Sequence, residues 1–249
     1  MEDWIKGAIF GSLLTLFIGF IVFVFRRFIF WWSSQCPINK LLGRLRFNNE
    51  ECTFFLRDTY FKDGQLLEVS DRGMGVIQNV MKLWVAVDGK VISDVFNVLG
   101  KAGKNDKISI MELREDHGFW DTNIVCIGAQ FPKADDIYGK CKNIYYRIDD
   151  KNIIRQSDNT SIERDKNYGY GLIMKGKNPF AHNGEGTVLF IGGFGVLGTE
   201  AAGYYFRKNY LRLGKRFRNR CFARIVRTHV HLGPQSVEAL EDYDIPKRC

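Results

Sequence analysis

The chain has 249 residues, room for one sizeable core with accessories and too few for a string of domains. Its formal net charge of +8 is concentrated: residues 201–237 carry Arg207, Lys208, Arg212, Lys215, Arg216, Arg218, Arg220, Arg224 and Arg227 and no Asp or Glu, so the remainder is close to neutral. That distribution excludes a uniformly basic protein that coats a nucleic acid duplex. It fits a local anionic ligand, an anionic membrane surface, or a solvated helix face followed by an edge strand.

Residues 1–32 read as a membrane anchor. Gly7 to Phe25, "GAIFGSLLTLFIGFIVFVF", runs 19 residues without a charge, close to the ~20 that cross a ~30 Å hydrocarbon layer as a helix. Glu2 and Asp3 ahead of the run and Arg26-Arg27 behind it are the wrong flanks for a cleaved signal peptide. Lys6 alone precedes the run, whereas Arg26, Arg27, Lys40, Arg44 and Arg46 follow it. A single pass through the inner (plasma) membrane is therefore expected, with the N-terminus outside and the rest cytoplasmic. Phe28 to Trp32, "FIFWW", suits an aromatic belt at the inner interface. Gly7, Gly11, Thr15 and Gly19 recur every four residues and place small side chains on one stripe, which allows close helix contact in lipid and predicts a homo-oligomer.

Residues 33–46 form a polar, then basic, juxtamembrane linker. Of the six cysteines, Cys36 lies just past the span, where a thiol is either acylated or idle. Cys126 sits inside an apolar run. No CxxC pair or Cys/His spacing suits zinc, so free cytosolic thiols are the simplest account.

Residues 47–235 read as one α/β domain. "FFLRDTYF" suggests a strand, "GMGVIQNVMKLW" a turn and helix, "LWVAVD" a strand, and "VISDVFNVLGKAG" a helix with Val91, Val95, Val98 and Leu99 on one face. "KISIME" and the fully apolar "NIVCIGA" are strands, with a helix expected over Lys133 to Lys140. "IYYRID" is a short strand, Asp149 to Asn167 a polar loop, and "YGYGLIMK" and "TVLFIG" are strands. A long helix follows from about Leu197 to Phe217, then the strand "CFARIVRTHV". Apolar strands interleaved with helices predict a Rossmann-like, mostly parallel sheet with helices on both faces. Residues 236–249 are expected to be a peripheral tail.

In such a sheet a ligand lies outside the carboxyl ends of the strands. Two strand ends finish in glycine: Gly128 and Ala129 at one, and Gly192, Gly193, Phe194, Gly195 and Gly198 at the other. Bare backbone turns with φ > 0 and exposes N–H groups, and the following helix points its N-terminal dipole at an anion. Thr199 could cap that helix or bond a ligand, Glu200 could accept from a sugar hydroxyl, and Arg207 begins the basic run. The alternative is tight strand-to-helix packing with no ligand. Tyr145-Tyr146 and the Tyr168/Tyr170 pair could stack on a base or be half-buried strand residues. His229 and His231 share one side of a strand without a third ligand nearby, so neither a metal nor a cofactor is expected.

The run "GGFGVLGTE" resembles the PGGxGTxxE loop of lonely-guy type nucleotide-binding proteins and their sensor relatives, the SLOG superfamily. Ile191 stands in place of the proline and Val196-Leu197-Gly198 precede Thr199. The resemblance implies nucleotide binding at this loop. With a membrane helix ahead of the domain, it also implies the plan of bacterial antiphage membrane effectors. These sense a nucleotide or cyclic oligonucleotide and respond by oligomerising or perturbing the bilayer. The enzymatic alternative it implies is a tethered nucleotide or NAD glycosidase in which Glu200 polarises the sugar; on the sensor reading there is no catalytic residue.

Overall fold

The computed structural model describes residues 2–37, 41, 52–55, 58–62, 65–68, 81–84, 86–101, 108–111, 123–128, 145–148, 152–181, 186–218 and 220–247. Helix α1 (Glu2–Phe30) is apolar on every side, so it has no preferred face to bury against protein. Leu13, Leu16, Phe20, Phe23 and Phe25 are between 59% and 71% exposed. The 23 residues from Gly11 to Ser33 are long and apolar enough to cross a membrane. Phe28, Trp31 and Trp32 cluster with ring centroids 6.0 to 6.4 Å apart at the far end. There the helix widens into a π-turn over Trp31–Gln35, which closes as the Cys36 N–H donates to the Trp31 carbonyl.

Helix α2 (Ala86–Lys101) and helix α3 (Gly195–Phe217) pack side by side and run parallel, with residues 90, 91, 94 and 101 opposite 200, 203, 207 and 210. Val91, Val95, Val98 and Leu99 face the core, each no more than 1% exposed. Helix α2 begins at Ala86, inside the run expected to be a strand. The strand there is shorter and earlier, Met81–Trp84, where a helix had been expected; the Val91 face simply extends back one more turn through Val87.

The strands, in chain order, are β1 (Cys52–Phe55), β2 (Asp58–Lys62), β3 (Gln65–Glu68), β4 (Met81–Trp84), β5 (Ile108–Met111), β6 (Asn123–Ile127), β7 (Tyr146–Ile148), β8 (Asn152–Arg155), β9 (Ser161–Glu163), β10 (Tyr168–Lys177), β11 (Thr187–Gly193), β12 (Cys221–His229) and β13 (Glu238–Lys247). The main sheet has the order β13-β12-β10-β11-β6-β1-β5. The β5, β1, β6 and β11 half is parallel, and the β10, β12 and β13 half is joined by antiparallel pairs. The chain is therefore a mixed α/β fold rather than a mostly parallel one. The antiparallel half arises because β10 slots between β11 and β12, and α3 crosses over it. Two further three-stranded sheets have the orders β3-β2-β4 and β7-β8-β9.

Among the described residues both α2 and α3 cover the same face of the main sheet, packing on Val125, Ile127, Leu189, Ile191, Phe222 and Val226. The other face is closed by Tyr145, Tyr146, Ile148 and Ile153 from around the β7-β8-β9 sheet, against Ile124, Cys126, Met174, Phe190 and Ile225. The expected helices are thus seen on one face among the described residues. The polar loop expected over Asp149 to Asn167 contains β8 and β9, whose short, half-exposed alternation hides in a polar sequence. The helix expected over residues 133–140 lies outside the described residues. The expected tail supplies the edge strand β13, with Pro246 opposite Phe222, a position where a missing N–H is tolerated.

The juxtamembrane segment is docked on the domain. Leu41 is fully buried in the helix-side core. A Cβ at Gly214, in the last turn of α3, would stand 2.3 Å from the Pro37 carbonyl oxygen, so only glycine lets the two backbones meet. Cys36 is a free, partly exposed thiol and Cys126 a free, buried one. Cys221, by contrast, is disulfide-bonded, which overturns the expectation of free thiols throughout. Disulfides persist in oxidising surroundings, so the orientation argument rests on the charge asymmetry flanking α1 alone.

Candidate functional site

Four parallel strands finish at one edge of the main sheet, where both helix N-termini also lie. At this edge Gly128 has φ +79° and Gly195 has φ +59°, and a Cβ at either would meet nothing within 4 Å. The Gly128 N–H donates to the Ile191 carbonyl at 2.9 Å and ties the end of β6 to β11. Phe194 is the extended N-cap residue of α3 and offers no side-chain cap. Its own N–H donates to the Tyr170 carbonyl at 2.9 Å, while the helical ladder begins with the Gly198 N–H to the Phe194 carbonyl at 3.2 Å. The amides of Gly195, Val196 and Leu197 thus precede the ladder, at the positive end of the helix, and Gly195 and Val196 are exposed.

The other glycines have a different task. A Cβ on Gly193 would lie 2.5 Å from the Tyr170 oxygen, one on Gly198 would lie 2.1 Å from the same atom, and one on Gly171 would lie 2.5 Å from the Gly198 oxygen. Gly193, Gly198 and Gly171 let α3 lie directly on β10 and β11; Gly192 is buried in β11. So the cluster divides into a packing set, Gly171, Gly193 and Gly198, and an open set, Gly128 and Gly195. Ala129 lies outside the described residues.

Thr199 does not cap the helix; it is 5% exposed and its hydroxyl donates back to the Gly195 carbonyl at 3.0 Å. Glu200 accepts from Lys90 Nζ at 2.9 Å, and Arg207 pairs with Asp94. These two ion pairs strap α2 to α3. Burial holds the Asp94 carboxyl above its ordinary value; the Arg207 guanidinium works against that and the Glu200 carboxylate adds to it. The structure brings Gly128, Phe194 and Gly195 together at the edge and carries Arg207 away down the helix, about 18 Å from its start at 1.5 Å per residue.

An aromatic group stands on the same edge, on the sheet face opposite the helices. Tyr170 meets Phe194 edge to face at 6.5 Å, Tyr168 meets His229 edge to face at 5.4 Å, and the Arg227 guanidinium lies 5.1 Å from the Tyr168 ring centre. Arg227 also pairs with Glu238, which holds it in place over the ring. Tyr168 and Tyr170 were legible as a stacking pair; Arg227 and His229 join them only through the β10–β12 register, Tyr168 opposite His229 and Tyr170 opposite Arg227. His229 and His231 are neighbours with ring centres 5.6 Å apart, and among the described residues no third His, Cys, Asp or Glu completes a metal site with them.

The arrangement defines an α/β domain with an open, positively polarised strand edge flanked by stacking surfaces. No family model matches the chain, and no curated protein matches it in sequence.

Proposed function

We propose that the protein is a single-pass membrane sensor whose Rossmann-like domain binds a nucleotide, either a mononucleotide or a cyclic oligonucleotide, and passes the binding energy to its membrane helix. The ligand's phosphate would sit at the Gly195–Leu197 amides and Gly128, and its base against Tyr168 or Tyr170. The observation that carries this reading is the placement of α3. Its first turn forms the open edge, and 19 residues on from Gly195, about 28 Å along the axis, Gly214 in its last turn bears directly on Pro37 of the chain leaving the membrane span. A ligand that favours one setting of α3 therefore biases the juxtamembrane segment, and with it the packing of the Gly7, Gly11, Thr15 and Gly19 stripe, through differential affinity for the two settings. On this reading the response belongs to antiphage defence, a role that rests on the resemblance of the loop to the SLOG superfamily and on the anchored plan.

The test uses full-length protein in detergent, screened by thermal shift against mononucleotides, NAD and cyclic oligonucleotides, with mass spectrometry of whatever co-purifies. Val196 is 59% exposed at the helix start. Val196→Asp should leave the apoprotein as stable or more so by about 0.3–1 kcal/mol, because a carboxylate complements the helix dipole, yet remove the nucleotide-induced shift by repelling the phosphate. A shift of equal size in Val196→Asp sinks the reading. Release of free base from a nucleotide or NAD, stopped by Glu200→Gln, would favour the glycosidase instead.

A further inference from the structure

The end of the domain opposite the open edge carries its own charge pattern. Lys215, Arg216, Arg218 and Arg220 are all exposed, in the last turn of α3 and the residues just past it. Arg218 sits at φ +51° with its N–H donating to the Gly214 carbonyl at 3.0 Å, ending the helix. A basic residue or two in a last turn complements the helix dipole, but Arg218 and Arg220 lie beyond the helix. Residues 201–237 contain no carboxylate to neutralise them.

The same turn is the one that Pro37 touches. Residues 2–37 form one continuous helical run, so Pro37 lies about 15 Å along the axis from Arg27, at 1.5 Å per residue. The headgroup layer adds about 5–7 Å to the hydrocarbon edge and the screening length at physiological salt is about 8 Å. Lys and Arg side chains at the Gly214 end can reach that layer with their charged tips.

From the Pro37–Gly214 contact and the exposed cations around it, we propose that Lys215, Arg218 and Arg220 form a membrane-facing collar that binds the phosphate groups of anionic lipids in the leaflet from which the domain emerges. This rests on the reading of α1 as a membrane span. The collar fixes the tilt of the domain on the bilayer and turns the open strand edge away from it, towards solvent. Lipid phosphate, not a soluble anion, is the partner, because the anchor keeps this surface at the headgroup layer.

The experiment takes the full-length protein. Alkaline carbonate washing of membranes comes first: release of the protein into the wash rejects the membrane span, and the collar with it. Retained protein is then extracted from mixed phosphatidylglycerol and phosphatidylcholine, and native mass spectrometry compares the two lipids held. Wild type should retain phosphatidylglycerol preferentially, by up to roughly fivefold for each cation that reaches the surface at low salt, and the preference should fall as salt rises. The triple variant Lys215→Gln, Arg218→Gln, Arg220→Gln should lose most of it, and the single variant Arg220→Gln, at an exposed position past the helix, should lose part. Arg26→Gln with Arg27→Gln serves as the control for the cations flanking the span. A preference unchanged in the triple variant, or lost only in the Arg26/Arg27 variant, overturns the proposal.

Discussion

Two glycines three residues apart, Gly195 and Gly198, show how different the demands on one residue type can be. A methyl group at Gly198 would collide with the Tyr170 carbonyl at 2.1 Å, a backbone atom that cannot swing away. Gly198→Ala should cost about 3 kcal/mol or more, by analogy with overpacked cores. Gly195→Ala meets only the strain of φ +59°, about 1 kcal/mol. Chemical denaturation of the two variants would measure the gap, and equal costs would contradict the assigned roles. Buried cations make the second residue-scale case. Lys175 is 2% exposed, and burial pushes its ammonium from 10.5 down to about 8. Below pH 8 folded and unfolded chains both carry the charge, and the cost of burying it is present in full. Between about 8 and 10.5 the folded chain sheds the proton first, so this residue makes stability rise with pH across that window, by on the order of 2 kcal/mol. Urea midpoints at pH 8 and pH 10 should show the rise in wild type and lack it in Lys175→Met. Arg224, fully buried, donates to the Tyr205 hydroxyl at 2.8 Å and lies 5.4 Å from the Phe217 ring centre. Tyr205→Phe removes an acceptor from a buried charge and should cost about 1–3 kcal/mol.

At the scale of elements, α1 and α3 carry the argument. In α1 the Thr15 hydroxyl donates to the Gly11 carbonyl at 2.9 Å, so the stripe presents no unsatisfied donor to lipid, and Gly11 and Gly19 have open space where a Cβ would be. Gly11→Leu with Gly19→Leu should cut crosslinked oligomer several-fold in detergent without changing the domain's melting temperature. An unchanged oligomer yield would remove the stripe from the mechanism. In α3 the Lys90–Glu200 pair, open to solvent at the lysine, contributes little stability by itself, about 0–1 kcal/mol, but with the half-buried Asp94–Arg207 pair it ties α3 to α2. The α2 face was legible because Val91, Val95, Val98 and Leu99 repeat at the helical period. β8 and β9 were not, because strands of three or four half-exposed residues leave no apolar run to read. The Leu83-to-Asp88 stretch misled in its second half: Leu83 and Trp84 end β4, but β-branched residues that favour a strand in isolation give way to α2 from Ala86, where Val87 is buried one turn ahead of Val91.

For the whole molecule, α3 runs from the open strand edge at its start to the turn that touches Pro37, just past the long apolar helix, at its end. Gly214→Val should separate Pro37 from α3, at some cost in stability, and leave nucleotide-induced thermal shifts in place while abolishing ligand-dependent changes in α1 crosslinking. If the crosslinking response survives, coupling runs by another path. The charge asymmetry around α1 and the Cys221 disulfide point to opposite sides of a membrane, and the free thiol of Cys36 decides between them: on the charge argument a membrane-impermeant maleimide should modify Cys36 only after cells are permeabilised, and labelling in intact cells would overturn that orientation.

The residue pattern alone determined an apolar helix long enough for a bilayer, the apolar strands buried on both faces, and a glycine-rich corner leading into a helix. These are set by local period and composition. The tertiary structure decided which glycines are open and which are pressed against backbone, that both helices share one face, that Glu200 and Arg207 are spent on α2, and that the segment after the span docks on the far end of α3. Those outcomes depend on contacts between residues tens to well over a hundred positions apart, which no window along the chain contains.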